Sequence, residues 1–175
     1  TRDLLGRHAP EPAVRAAMQT EHGYDPALWH RMAGEIGLQG LIVPEALGGS
    51  GADFVDIGVV MEELGRALYC GPFLSCAVLA ATALTAAGDE IAARTYLPQL
   101  SAGSLLATVA DDGLLGGRGL PLPAATRAAG TVRITGRAGF VLDGHIADIM
   151  VVSARHGDET GLYLVDTRAT GVTAT

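Results

Sequence analysis

The sequence predicts an α+β fold in which helices come first and strands follow. Before about residue 103, apolar residues recur at helical spacing behind capping signals, and after it apolar and polar residues alternate with a period of two. Short alternating segments separated by glycine-rich turns are typical of antiparallel strands. We therefore predict an α-helical bundle domain over residues 1–102 and a partial antiparallel β-domain over residues 103–175.

Acidic caps mark the starts of three predicted helices. Asp25, followed by a proline, begins a helix that carries Trp29 and ends at Gly37. Asp53 and Asp89 cap two later helices, each followed by apolar residues at helical spacing. We expect Trp29 to be buried between helices, because it lies on the apolar face of its own helix.

Two further helices are predicted from their apolar residues. One covers residues 12–22, and the other, PFLSCAVLAATALTAAG, is opened by Pro72 and closed by Gly88. The second is too short, and too often interrupted by polar residues, to span a bilayer. Its Ser75 lies outside any Gly-x-Ser-x-Gly turn, so we expect its hydroxyl to bond back to the helix rather than to act as a nucleophile.

The predicted strands follow the helices. Alternation over TVRIT is the clearest signal, and FVLD, DIMVVSA and GLYLVD come after it with turn residues between them. The segment ATVADDGLLGGRGLP, at the start of this region, matches neither the phosphate-binding P-loop nor the dinucleotide fingerprint. These patterns thus predict an α+β domain but do not by themselves predict a specific activity.

Composition excludes several classes of function. The 175 residues are 49% hydrophobic, which is enough for a core, and the net charge of −7 comes without a run of lysine or arginine. This argues against binding to nucleic acid or to an anionic membrane surface. The first residues contain no apolar signal-peptide core, so we expect a cytoplasmic protein. Cys70 and Cys76 are then expected to be thiols rather than a disulfide framework.

The polar residues of the sequence predict neither a metal site nor a catalytic pair of carboxylates. The five histidines do not have ligand spacing and no cysteine cluster supports them, so no metal is predicted. Glu62 and Glu63 are adjacent on a helix and point in different directions. Glu62 and Arg66 instead have the i,i+4 spacing of a surface ion pair.

A more specific pattern lies in residues 28–67, LWHRMAGEIGLQGLIVPEALGGSGADFVDIGVVMEELGRA. A tryptophan-bearing helix, Gly-Leu-x-Gly, Val-Pro-Glu with a Gly-Gly turn, and Glu-Glu-Leu-Gly occur in the order found in acyl-CoA dehydrogenases. The later segments YLPQLSAGSLLATVA, ITGRAGFVLDGHIADIMVVSAR and GLYLVDTRATGV resemble that family's middle β-domain. The resemblance covers nearly the whole chain. It implies a helical domain followed by part of a β-domain, with the family's C-terminal helical domain absent from this sequence.

The resemblance implies FAD as the cofactor, held partly by the segment after the YLP helix. That segment usually reads Leu-Thr-Glu-Pro-x-x-Gly-Ser-Asp, whereas here it reads DDGLLGGRG. Val109, Asp111 and Asp112 would then edge the flavin through backbone groups, and Arg118 would contact a pyrophosphate or CoA phosphate. The departure from the family pattern leaves three interpretations open: an altered cofactor loop, a degenerate one, or a plain connection.

Two residues of the next segment complete the implied cofactor set. Phe140 stands where the family has an aromatic residue and would stack on the flavin. Leu142 stands where the family has Thr or Ser, and it offers no side-chain donor. Two carboxylates near the ring would oppose reduction to the anionic hydroquinone. The implied site is therefore unlike the family's usual one.

The first functional hypothesis is a flavin-dependent acyl-CoA dehydrogenase acting on an acyl-CoA substrate in fatty-acid or steroid side-chain catabolism. In such enzymes a carboxylate base removes the α-proton and a hydride passes to flavin. Since that base belongs to the C-terminal domain, no catalytic residue is assigned in this chain. An alternative is a non-catalytic partner subunit with a degenerate flavin site, within a homo- or hetero-oligomer. An unrelated α+β binding module is the third hypothesis.

Overall fold

The computed structural model describes residues 1–114, 119–128 and 130–174. The chain divides into two compact units, Thr1–Leu106 and Ala107–Thr175. The first contains the helices and the second contains the strands. The predicted α+β class, with a helical unit before a partial β unit, is confirmed.

The helical unit contains six α-helices, two 3₁₀ turns and one π-helix. Three of the α-helices begin at the predicted caps, and the π-helix runs directly into α5. The elements are α1 Arg2–His8, α2 Glu11–Ala17, α3 Pro26–Ile36, 3₁₀ turns at Leu38–Gly40 and Glu45–Leu47, α4 Phe54–Arg66, the π-helix Phe73–Ala80, α5 Ala81–Ala86 and α6 Glu90–Ser101.

Side-chain caps fix the starts of α3, α4 and α6. The Asp25 carboxylate accepts a hydrogen bond from the backbone N–H of Ala27 at 2.8 Å. Asp53 does the same for α4 as part of a capping box, and Asp89 caps α6. Gly37 adopts a left-handed conformation with φ of +65° and ends α3 as expected.

Helix α2 is shorter than its apolar pattern indicates. The predicted helix over residues 12–22 ends at Ala17, and Met18 is 58% exposed. The Thr20 hydroxyl donates to the Ala17 carbonyl oxygen at 2.7 Å and accepts from the N–H of Gly23 at 3.2 Å. Because this side chain takes over backbone partners, it favours a turn over further helix.

Trp29 lies at the centre of the helical core, as predicted. It is 1% exposed, and its indole N–H donates to the carbonyl oxygen of Gly103 at 3.0 Å. The Trp29 carbonyl in turn accepts from the buried Gln39 amide at 2.7 Å. Residues Met32, Phe73, Leu97 and Leu100 are fully buried in the same unit. The tryptophan therefore ties α3 to the turn after α6 as well as filling space.

The apolar segment that follows α4 is helical, although its first half is a π-helix rather than an α-helix. It is buried on most sides, as its sequence predicts. The Ser75 hydroxyl donates to the Pro72 carbonyl oxygen at 3.2 Å, which confirms its expected bond back to the helix. In the part of the chain that the structure describes, no helix is long and apolar enough to cross a membrane.

In its described residues, the β unit is a mixed five-stranded sheet around one central strand. Its strands are β1 Ala107–Ala110, β2 Ala124–Ala128, β3 Thr131–Thr135, β4 Ile149–His156 and β5 Glu159–Asp166. The β2–β3 and β4–β5 pairs are antiparallel, as expected for this unit, but β2 is not among the strands predicted from the sequence. Strand β1 pairs with β4 in parallel, with Ala107 opposite Ile149. Strand β2 meets the far end of β4 at a single pair of residues.

The predicted strand FVLD is wrong. Phe140 and Asp143 have φ values of +52° and +53°, which no extended strand allows. The segment instead forms turns between β3 and β4. The apolar residues that suggested a strand are therefore placed by tertiary contacts rather than by a sheet ladder.

Surface ion pairs lie within α4 and between α4 and α1. Glu62 and Arg66 form the predicted i,i+4 pair at 3.2 Å, while Glu63 binds Arg2 through two hydrogen bonds of 2.6 and 2.8 Å. The hydrogen bond from Arg2 lowers the pKa of Glu63, and burial raises it. The hydrogen bond and the attraction of the same guanidinium outweigh the cost of burial, so the pKa of Glu63 lies below its ordinary value.

This shift predicts a pH effect that can be measured. The stability contributed by ionised Glu63 is present above the carboxyl's ordinary pKa and is lost as pH falls through the lowered value. Arg2→Gln should return the Glu63 pKa towards its ordinary range, which a carboxyl-detected NMR titration would show. Arg15→Gln, which breaks the exposed pair with Glu11 instead, is the matched control. An unchanged Glu63 titration in Arg2→Gln would refute the assignment.

Candidate cofactor site

The candidate site begins where β1 ends. Val109 is half-buried and lies opposite Val151 of β4. Asp111 follows the strand, and its carboxylate accepts from the backbone N–H of Gly113 at 2.8 Å. This closes a tight Asx turn directly after the strand. The first carboxylate of the segment is therefore engaged by its own loop.

Asp112 is turned into the β unit rather than towards solvent. It is 7% exposed, and its Oδ2 accepts from the backbone N–H of Leu120 at 2.9 Å. Its Oδ1 is buried and has no hydrogen-bond partner among the residues that the structure describes. A Cβ built on Gly139 would lie 3.0 Å from that oxygen, so the backbone before Phe140 passes close to the carboxylate.

The connection between β3 and β4 supplies the other predicted residues. Phe140 is 61% exposed and presents its ring at the surface. Leu142 is half-buried, and its carbonyl oxygen accepts from the Thr108 hydroxyl of β1 at 2.6 Å. This bond joins the connection to the strand that carries Val109. The structure thus brings five of the predicted residues to one part of the β unit.

Arg118, the sixth predicted residue, lies outside the described residues. Sequence reasoning also missed three residues that organise this region, namely Thr108, Leu120 and Gly139. A glycine next to a strand-like apolar segment can signal close backbone approach, and Gly139, directly before FVLD, offered that signal. Nothing in the local sequence marks the long-range bond from Thr108.

The arrangement fits a flat aromatic ring better than a charged or metal-bound ligand. The exposed Phe140 ring offers a stacking face. Since both carboxylates accept from backbone N–H groups of their own loop, their charge is partly compensated before any ligand arrives. Among the described residues, no group of three His, Cys, Asp or Glu side chains is placed to hold a metal ion. The residues present therefore fit an isoalloxazine ring edged by backbone groups.

The family model "Acyl-CoA dehydrogenase, N-terminal domain" matches residues 1–104. This chain belongs to the acyl-CoA dehydrogenase family. The match covers the unit built around Trp29, so the resemblance read from residues 28–67 is confirmed.

One curated relative of this acyl-CoA dehydrogenase family member aligns over most of the chain. Acyl-CoA dehydrogenase IpdE2 of Mycolicibacterium smegmatis is 36% identical over 151 residues, covering 86% of this chain and 39% of that protein. The chain therefore spans well under half the length of the curated relative it matches.

Two solved structures extend the likeness into the β unit. A variant of the Tcur3481-Tcur3483 steroid ACAD is 33% identical with a TM-score of 0.84, and the match covers 97% of this chain and 46% of that one. The ChsE4-ChsE5 complex from Mycobacterium tuberculosis is 27% identical with a TM-score of 0.89, covering 99% and 47%. At these coverages both matches extend over the β unit as well as the helical unit.

Proposed function

We propose that this chain is part of a flavin-dependent acyl-CoA dehydrogenase, an oxidoreductase that introduces an α,β double bond into an acyl-CoA thioester. The observation that carries the proposal is the exposed ring of Phe140 beside the end of β1, with the neighbouring carboxylates turned into their own loop. FAD, when bound, supplies the hydride acceptor for this reaction.

Each residue of the candidate site has a distinct role in this proposal. Phe140 stacks on the isoalloxazine ring, and Val109, Asp111 and Asp112 edge it through backbone groups. Leu142 positions its segment through the bond from Thr108 to its carbonyl oxygen and excludes water with its side chain. Arg118 contacts a phosphate, a role proposed from sequence only. The catalytic base is not among the residues of this chain.

The relatives support a heteromeric assembly. Two acyl-CoA dehydrogenase structures similar to this chain are named as pairs of different proteins, and one of them is described as a steroid enzyme. We propose accordingly that the subunit assembles with a second acyl-CoA dehydrogenase chain, in the cytoplasm, and that its substrate is a fatty or steroid side-chain acyl-CoA.

A second candidate function is that of a partner subunit whose own flavin site is degenerate. Leu142 favours it, because an aliphatic side chain stands where a hydroxyl donor would be expected from the resemblance. The buried Oδ1 of Asp112 favours it too, since a carboxylate oxygen without a partner is a poor neighbour for reduced flavin. Flavin content of the subunit purified without its partner separates the two functions.

Phe140→Ala tests the stacking role. Loss of one aromatic contact should weaken flavin binding about two- to tenfold, measured by fluorescence titration of the apoprotein with FAD. Phe54→Ala is the matched control, because Phe54 has the same 61% exposure in the other unit. Equal affinities for wild type and Phe140→Ala would remove the ring from the cofactor site.

A further inference from the structure

A second concave site lies within the β unit, on the part of the sheet where β2 meets β4. Its cavity has a volume of about 320 Å³. Apolar residues form its floor, and one cation and one hydroxyl line it. The lining residues are Pro121, Leu122, Ala124, Ala125, Thr126, Arg155 and Gly157.

The cavity lies between two strands that pair at one position and then separate. Strand β2 pairs with β4 only at Ala124 and Arg155, and the Arg155 N–H donates to the Pro123 carbonyl oxygen at 2.8 Å. Strand β2 pairs with β3 over its whole length, from Ala124 to Ala128, and among the described residues its other edge has no further pair with β4. The gap between β2 and the end of β4 is therefore open to a ligand. The backbone on both sides of the gap is fixed by strand pairing.

Strand register places a second arginine on the same face. Ala124 lies opposite Arg155, Thr126 is two residues further along β2, and Arg133 of β3 lies opposite Thr126. Because directly opposed residues share a face and side chains alternate with a period of two, Arg155, Thr126 and Arg133 point to one side. The arginines are two strand spacings apart, roughly 10 Å, and are offset by two residues, roughly 7 Å, along the strands. Their Cα atoms are therefore roughly 12 Å apart, a distance that two extended arginine side chains span.

The two guanidinium groups have no ion-pair partner in the described part of the chain. Neither Arg155 nor Arg133 forms an ion pair with any residue that the structure describes. Thr160 is the residue of β5 opposite Arg155, so no carboxylate faces it from that strand. Glu159 lies opposite His156 and hence on the other face, while Asp158 in the adjoining turn is the nearest carboxylate along the chain.

We propose that this cavity binds a phosphate group through the guanidinium groups of Arg155 and Arg133 and the hydroxyl of Thr126. Arginine forms paired, charge-assisted hydrogen bonds to phosphate oxygens, and a threonine hydroxyl adds a third donor. The inference rests on the proposed function, which supplies a substrate that carries phosphates in its coenzyme A portion. Free phosphate has the same chemistry, and the test separates the two sources.

The experiment is calorimetric titration of the purified protein at low ionic strength with CoA, dephospho-CoA and inorganic phosphate. Arg155→Gln and Arg133→Gln should each weaken binding about fivefold, and Arg155→Lys should keep part of the affinity because it retains charge without the paired donors. Arg94→Gln, an exposed arginine of the helical unit, is the matched control for loss of charge. Thermal melting curves establish that each variant is folded.

Each result of the titration leads to a different conclusion about the site. Arg155-dependent binding of CoA that is tighter than that of phosphate assigns the site to the coenzyme, and a loss with dephospho-CoA identifies the 3′-phosphate. Equal Arg155-dependent binding of inorganic phosphate assigns it to the free anion. If both arginine variants behave like Arg94→Gln, the proposal is wrong. Bleaching of the flavin by an acyl-CoA tests the proposed function and does not depend on these arginines. A failure of the phosphate site can therefore be distinguished from a failure of the proposed function.

Discussion

Replacing Trp29 with alanine is expected to lower the free energy of unfolding by about 3–5 kcal/mol. The side chain is 1% exposed, so its removal leaves a large cavity in the helical core. It also removes the donor to the Gly103 carbonyl oxygen and the edge-on contact with the ring of Tyr24, whose centroid lies 6.5 Å away. Urea denaturation followed by circular dichroism measures the loss.

Two controls separate packing from the hydrogen bond. Trp29→Phe keeps most of the apolar volume, so its free energy of unfolding should fall by less than that of the alanine variant. The loss that remains comes from the missing hydrogen bond to Gly103 and from the unfilled part of the site. Ile91→Ala removes a side chain that is 80% exposed and should change stability by less than about 0.5 kcal/mol. A loss under about 1 kcal/mol for Trp29→Ala would contradict the core described above.

Gly49→Ala is expected to destabilise the protein by about 2–3 kcal/mol. A Cβ at this position would collide with the carbonyl oxygens of Val43 and Gly40, which are backbone atoms with no rotamer to change. The same carbonyls accept hydrogen bonds from Gly51 and Ser50 at 2.9 Å. Any movement that relieves the collision therefore breaks bonds that close the VPEALGGSG turn.

Gly58→Ala provides the matched comparison for this prediction. Gly58 is an exposed helical residue, and a Cβ there meets nothing within 4 Å. Alanine favours helix, so this variant should gain about 0.5–1 kcal/mol where Gly49→Ala loses stability. Chemical denaturation of both proteins side by side decides the matter, and equal midpoints would show that the turn is more plastic than its hydrogen bonds indicate.

Local chemistry explains why the helix starts were predictable. The Asp25, Asp53 and Asp89 caps act within three residues of themselves, so a short window of sequence contains the whole interaction. The burial of Trp29 was predictable for a similar reason, because apolar periodicity identifies the inward face of a helix.

Long-range contacts explain what local patterns missed. FVLD has the composition of a strand, but its positive φ angles and the bond from Thr108 to Leu142 depend on residues more than 30 positions away. The parallel pairing of β1 with β4 could not be predicted from alternation either. An alternating pattern indicates which face of a strand is buried, but it does not indicate which strand lies beside it.

The position of Asp112 bears most directly on function. Its sequence neighbours suggested a carboxylate at the edge of a flavin, whereas the structure turns it inward to the N–H of Leu120 and the backbone at Gly139. The negative charge expected to oppose flavin reduction is thus engaged within the loop. The segment resembles the family's cofactor loop in position while its side chains support the loop itself.

The most direct test of the proposed function is the visible absorbance spectrum of the purified protein, alone and together with the proposed partner subunit, before and after anaerobic addition of an acyl-CoA. A flavin spectrum that bleaches on addition is the result expected for a flavin-dependent acyl-CoA dehydrogenase. Flavin that appears only with the partner would assign the chain the role of the degenerate subunit. A preparation that is colourless in both states, or whose flavin no acyl-CoA reduces, would contradict the proposal.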